Sequence, residues 1–359
     1  MNNIPYLLAL HSIDGLGPIR LKAVLDYFKD PKIAWEAKGG DIREIGIPQN
    51  TVDLLLETRK RLDPQQYWES IQKMSIKWLT IFDDNYPKLL KQIYDPPIVL
   101  YYKGNIDWDA PAIAVVGTRK MTSYGKAVTQ TFTKGLISAG LIIVSGLARG
   151  VDSQAHLTAV EENGRTIAVL GGGLNNIFPP ENRGLAAKIA EGFGAVISEF
   201  PPDSPSLPGN FPARNRIISG LSLATLVTEA ASDSGSLITA RFALEQGREV
   251  FAVPGPITSD LSKGPIDLIK EGARPVADAK EILEELGINM THRSYQPNMP
   301  ENLSEDEKKV LECLQNDNLH IDEIGRMINF PSPKVSATIL KMEIAGLIVN
   351  LGSGMYSKV

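Results

Sequence analysis

One cysteine, Cys313, is all that this 359-residue chain carries. That excludes an intrachain disulfide and a cysteine-rich metal site. Cys313 falls in the apolar phase of a predicted helix, where an inert buried thiol is the stronger reading against a nucleophile. The four histidines, His11, His156, His292 and His320, are scattered and give no metal-ligand spacing. Neither a metal nor a cofactor is therefore expected. Long apolar runs are also missing: none approaches the ~20 residues that span a bilayer. The first residues, MNNIPYLLALHS, lack a basic region ahead of their apolar stretch, so a signal peptide is not expected and a cytoplasmic protein is. Basic charge is not in excess, with 37 Lys and Arg against 42 Asp and Glu. A net charge of −5 argues against indiscriminate coating of nucleic acid. A polyanion would need basic residues gathered in one groove, so position tells more than total charge.

What is present is ordinary for a soluble globular chain, with 43% hydrophobic and 22% charged residues. The length suits two or three domains. Residues 1–75 read as helical. In SIDGLGPIRLKAVLDYF a tight turn around Gly15 and Gly17 precedes Pro18 at a first helical position. A weaker copy lies in DIREIGIPQNTVDLLLE. The pattern resembles helix-hairpin-helix units, whose glycine-rich turn offers N–H groups to a phosphate. Gly15 and Gly17 are thus candidates for a secondary DNA contact, against the alternative of hairpins that only pack together.

Residues 80–290 alternate apolar runs (AIAVVG, LIIVSG, TIAVLGGG, AVISEF, LATLVTEA, EVFAVPG) with helical patterns. Runs apolar throughout suit parallel strands covered on both faces, and the alternation predicts a Rossmann-like, doubly wound α/β sheet. Gly117, Gly146, Gly171 and Gly255 end strands and mark the edge where such sheets bind ligands. Residues 291–302 lose periodicity and read as a linker. Residues 303–359 read as three helices and a strand–turn–strand, the pattern of a winged helix, with Ser304 and Glu307 as a capping box. Its third helix offers only Lys334 and Lys341 against Glu343, so protein interaction or packing outweighs reading of a DNA groove.

No nucleotide fingerprint is complete, and no P-loop motif occurs. GGGLNN reads as a tight loop that lets another segment approach. The sheet edge offers anion chemistry on several loops instead. GTR places Thr118 and Arg119 after the first strand. SGLARGVDSQAH places Ser145, Gly146 and Arg149 ahead of a helix that Asp152 is positioned to cap. SDSGSLITA presents Ser234, Gly235 and Ser236 at another helix start. FPARNR supplies Arg214, Asn215 and Arg216, with Phe211 as a stacking surface or, alternatively, a loop plug. Arginine suits phosphate because its planar fork binds two oxygens and its face stacks on bases. Several phosphate-sized sites beside one aromatic suit a single strand better than one small nucleotide. At least one of Arg214 and Arg216 is expected to turn inward onto Glu199 or Glu229. No carboxylate pair, nucleophile–base couple or metal cluster is evident, so the chain is read as a binder rather than an enzyme.

The run YPKLLKQIYDPPIVLYYKG, then AVVGTRKMTSYG, VSGLARGVDSQAH, TIAVLGGGLNNIFPPEN, FPARNRIISGLS, SGSLITA and VFAVPG, resembles in order the DNA-processing protein DprA (Smf) family. The likeness covers nearly all of the middle segment, and both flanks agree with domains that many members carry. It implies a core that binds single-stranded DNA without sequence preference and forms a homodimer. It further implies protection of incoming strands in natural transformation and loading of the RecA recombinase. In the family pattern the arginine after the first strand and the FP-x-RN segment line the DNA pocket, which maps onto Arg119, Phe211, Arg214 and Asn215. Thr118 stands where serine is common, and LPGN precedes Phe211 where relatives often have a basic residue. One expected phosphate contact is thus missing or supplied elsewhere. The alternative is a Rossmann-like enzyme such as a nucleoside monophosphate phosphoribohydrolase. Those enzymes show P-G-G-x-G-T-x-x-E, whereas this chain has PGPITSD and SDSGSLITA.

Overall fold

Short apolar runs become the strands of a nine-stranded sheet in the computed structural model, which describes residues 3–288, 304–314, 319–344, 347–352 and 354–358. Six helices precede it: α1 (Ile4–His11), α2 (Pro18–Phe28), α3 (Pro31–Glu36), α4 (Gly39–Glu44), α5 (Gln49–Arg59) and α6 (Pro64–Lys73). Prolines open α2, α3 and α6, where the missing N–H would have had no intrahelical partner. Asp30 and Asp63 cap α3 and α6 by accepting first-turn N–H groups.

The strands are β1 (Lys77–Thr80), β2 (Val99–Gly104), β3 (Ala112–Val116), β4 (Ile142–Ser145), β5 (Thr166–Val169), β6 (Gly194–Ser198), β7 (Ala224–Val227), β8 (Glu249–Ala252) and β9 (Arg274–Pro275). Their order is β1-β2-β6-β5-β4-β3-β7-β8-β9. From β6 to β9 the pairing is parallel, and β1 and β2 add antiparallel at one edge. Strands β3 to β7 are buried along their length, as expected where helices cover both faces. Those helices are α7 (Lys88–Lys91), α8 (Ser123–Ser138), α9 (Val151–Glu161), α10 (Arg183–Lys188), α11 (Asn210–Gly220), α12 (Ser236–Glu245), α13 (Lys263–Lys270) and α14 (Ala279–Glu285). From β3 the chain winds through β4 and β5 to β6, and then returns through α11 to β7 on the other side of β3. The winding direction therefore reverses between β3 and β7, the place where open α/β sheets take ligands.

The chain divides into two units, Met1–Thr291 and His292–Val359. In the first, Leu8, Leu21 and Leu55 of the helical segment share one continuous core with Val99, Val116 and Val227 of the sheet. The change of sequence pattern near residue 75 thus falls inside this unit. Ile113, Val115, Phe132, Leu226 and Phe251 form a separate core. The second unit is a winged helix of α15 (Glu305–Cys313), α16 (Ile321–Ile328), α17 (Ser332–Ile344), β10 (Leu319–His320), β11 (Ile348–Gly352) and β12 (Met355–Lys358). Its strand order is β10-β12-β11, and Val310, Ile324, Val335, Ile339 and Met342 fill its core. Ser304 and Glu307 form the capping box on α15. The expected linker at 291–302 lies outside the described residues. Among the described residues no helix is long and apolar enough to cross a membrane, and no His/Cys/Asp/Glu cluster could hold a metal.

Candidate nucleic-acid interface

Helical geometry separates the two arginines of FPARNR. Each position on α11 turns by about 100°, so Phe211, Arg214 and Asn215 share a face while Arg216 points about 200° from Arg214. Arg216 is buried, its Nη1 and Nη2 donating to the Glu199 carboxylate at 2.9 and 2.7 Å and its Nε to Asp95 at 2.8 Å. Burial works against its charge, but Glu199 and Asp95 together raise its pKa. Of the two partners expected for an inward arginine, Glu199 takes the role. Glu229 does not: its carboxylate accepts the Thr122 N–H at 2.9 Å and hydroxyl at 2.6 Å. A Cβ on Gly125 would come within 1.9 Å of that carboxylate.

Arg214 is buried too, and serves the ends of two strands. Its Nη1 donates to the Gly146 carbonyl at 2.8 Å and to the Val169 carbonyl. Burial lowers its pKa to about 10, against the opposing pull of Asp152 and with a further lowering from nearby Arg119. A Cβ on Gly146 would lie 2.6 Å from Arg214 Nη2 and 2.8 Å from Asp152 Oδ2, so glycine is what permits this approach. Asp152 does not cap α9, whose N-cap is Gly150. From within the first turn it accepts the Gly146 N–H at 3.1 Å. Burial pushes its carboxyl up, opposed by Arg214.

The loop after β3 is held by its backbone. Thr118 donates its N–H to the Glu229 carbonyl at 2.6 Å and accepts the Val151 N–H at 3.1 Å. Its hydroxyl oxygen accepts the Lys120 N–H at 3.2 Å. A Cβ on Gly117 would meet the Glu229 carbonyl at 2.7 Å. Arg119 alone of this trio reaches outward. It is exposed, has no carboxylate partner among the described residues, and sets its guanidinium carbon 5.7 Å from the centre of the Phe211 ring. Phe211 in turn lies 5.7 Å from Phe178 at 47°. Arg119, Arg149, Phe178 and Phe211 line one cleft, with the buried Gly146 and Arg214 also in its wall. Arg149 is exposed but pairs with Glu181, which raises its pKa.

Phe178, absent from the candidates read in the sequence, is 45% exposed. Its signal was an aromatic just after GGGLNN, but nothing local pairs it with Phe211. The glycines do that. A Cβ on Gly171 would lie 2.7 Å from Phe211 Cδ1, and one on Gly173 would lie 2.2 Å from the Pro202 carbonyl. The loops after β5 and β6 therefore touch, and Asn175 and Asn176 bond to Asp203 across them. GGGLNN works as a site of close approach.

The structure does not bring every candidate to the cleft. Ser145 is buried and its hydroxyl donates to the Val115 carbonyl at 2.7 Å. Arg216 is committed to Glu199. Ser234 and Ser236 stand one strand over, beyond β7, with their hydroxyls 2.8 Å apart. Asn215 joins the two places by donating to the Gly235 carbonyl at 3.1 Å. Gly15 and Gly17 belong to the turn before α2, where Gly15 takes a φ of 87° with Thr51 packed against it and Gly17 is the N-cap. In the winged helix, Lys334 pairs with Asp306 and Lys341 with Glu307, each at 2.8 Å.

The profile of the family described as DNA recombination-mediator protein A matches residues 77–287, and that of the DprA winged helix domain matches 296–354. Protein Smf of Escherichia coli is 39% identical, with 94% of each chain covered. The crystal structure of DNA processing protein A from Streptococcus pneumoniae is 38% identical with a TM-score of 0.70, over 79% of this chain and 99% of that one. A Helicobacter pylori structure described for its single-stranded DNA binding mode is 32% identical with a TM-score of 0.53, over 59% of this chain and 95% of that one.

Proposed function

Because the chain belongs to the DNA recombination-mediator protein A family, also called DprA or Smf, we propose that its first unit holds single-stranded DNA without regard to sequence. The observation that carries this is Arg119 set over Phe211. An unpaired guanidinium beside two partly exposed rings offers one phosphate contact and one stacking face together. Single strands present both, whereas a duplex hides the faces of its bases. Arg214 and Arg216 hold the platform: one closes the β4 and β5 strand ends, and the other anchors α11 to Glu199. The H. pylori relative, described for single-stranded DNA binding, supports the same reading.

The finer part of the proposal is that a homodimer passes this strand to the RecA recombinase during DNA uptake, acting as a mediator and not as an enzyme. The family description as a recombination mediator supports it. The engagement of Glu229 by Thr122 leaves the phosphoribohydrolase alternative without a free carboxylate there. With both lysines of α17 paired to α15, the winged helix suits protein contact. Gel-shift titration with single- and double-stranded oligonucleotides, with and without RecA, tests both levels. Preference for the single strand and faster RecA assembly on it are expected. Equal binding of both forms would overturn the first level, and unchanged RecA assembly the second.

A further inference from the structure

A second exposed ring stands further along the same edge of the sheet. Tyr124 lies in the first turn of α8, five residues after Arg119. It is 39% exposed, and its hydroxyl donates to the Pro254 carbonyl at 2.8 Å, in the loop after β8. Since β7 lies between β3 and β8, this side chain reaches across the end of β7. The bond to Pro254 restrains the ring as a fixed apolar surface. Ile257, on the same loop as Pro254, is 88% exposed.

Charge points to the occupant. From 119 to 126 the sequence is RKMTSYGK, with three basic residues and no acidic one in a chain of net charge −5. The carboxylate packed beneath it, Glu229, is buried and held by Thr122. Lys120 and Lys126 are exposed and have no ion-pair partner among the described residues. A restrained ring on a segment that carries free cations is the combination with which single-strand binders hold a base and its phosphates, although Lys126, two positions on, points about 200° from Tyr124 round α8. The surface continues the Arg119 cleft: from the β5 loop to the β8 loop is four inter-strand steps, roughly 19 Å at ~4.8 Å each. We propose that Tyr124 is a second stacking platform, which takes a further base of the strand leaving the Arg119–Phe211 cleft. This rests on the reading of that cleft as a single-strand site.

The test uses the full chain and thymidine 12-mers carrying one abasic position, moved along the strand, with binding read by fluorescence anisotropy. Two separate positions of sensitivity are expected. Phe211→Ala should erase one, and Tyr124→Ala the other, with about tenfold weaker binding of the intact 12-mer in each case. Tyr124→Phe keeps the ring but releases it from Pro254, and should lose clearly less than Tyr124→Ala. A single sensitive position in the unmodified protein overturns the proposal, and this readout stands even if Tyr124→Ala fails to fold. So does an unchanged profile in Tyr124→Ala beside a loss in Phe211→Ala, which would make Tyr124 a brace for the β8 loop and leave the first cleft intact. Equal losses in Tyr124→Phe and Tyr124→Ala would assign the effect to the hydroxyl and overturn it as well. If Arg119→Ala and Phe211→Ala bind normally, the cleft reading fails and takes this inference with it.

Discussion

Arg214 and Arg216 stand two residues apart on one helix and face opposite tasks. Arg214 closes onto the Gly146 and Val169 carbonyls, while Arg216 clasps Glu199 with both terminal nitrogens. Neither is a free surface cation. The outward charge of the cleft is Arg119, brought beside Phe211 from the loop after β3.

Arg216→Ala should be a folding mutant. It would leave Glu199 buried without its counter-charge, which costs about 3–5 kcal/mol. Urea unfolding should show the loss. Glu199→Leu combined with Arg216→Met should recover much of it, because the stranded charge disappears with its partner.

Arg119→Ala should leave stability within about 0.5 kcal/mol, since its side chain is exposed. Binding to single strands should weaken similarly on all sequences. With about four phosphate contacts, log affinity should fall against log salt with a slope near −3, at roughly −0.7 per contact. The variant should flatten that slope by about 0.7. An unchanged affinity and slope would remove Arg119 from the site.

Phe211→Ala should cost about 1–3 kcal/mol in single-strand affinity if the ring stacks a base. A much smaller loss would mark it as a loop plug. Gly171→Ala is an independent probe: its Cβ would lie 2.7 Å from the ring. It should displace Phe211 and weaken binding while the salt slope stays as it was.

Stability should decline on mild acidification. Burial lowers His11 to about 4 and His156 to about 3. Between those values and about 6.5 the unfolded chain binds protons that the folded chain refuses, so folding stability rises with pH there. It should be complete above about pH 6.5 and fall as pH drops toward 4. Urea midpoints at pH 7.5 and 5 check this, and His156→Gln should narrow the difference.

The alternation of apolar runs and helical patterns was enough to read the doubly wound sheet, because both faces of its strands are buried and local composition reports that. The capping box at Ser304 was legible for the same reason: both partners lie within one turn. The motif GTR falls on the loop after β3 and FPARNR in α11, and Arg119 and Phe211 from them line one cleft. Phe178 was not legible, since its partner Phe211 is 33 positions away and meets it only where three glycines let two loops touch.

What the sequence determined by itself was therefore local: where strands and helices form, which loops end on glycine, and that basic and aromatic residues gather at one edge. Tertiary structure alone decided direction. Two arginines two positions apart diverge because a helix turns by about 100° per residue, which sets them about 200° apart. Glu199, not Glu229, receives Arg216 because Thr122 already occupies Glu229. Ser145 faces the sheet interior, where its hydroxyl meets the Val115 carbonyl. Which atoms a side chain meets depends on elements far away in the chain, and that pairing leaves no local pattern.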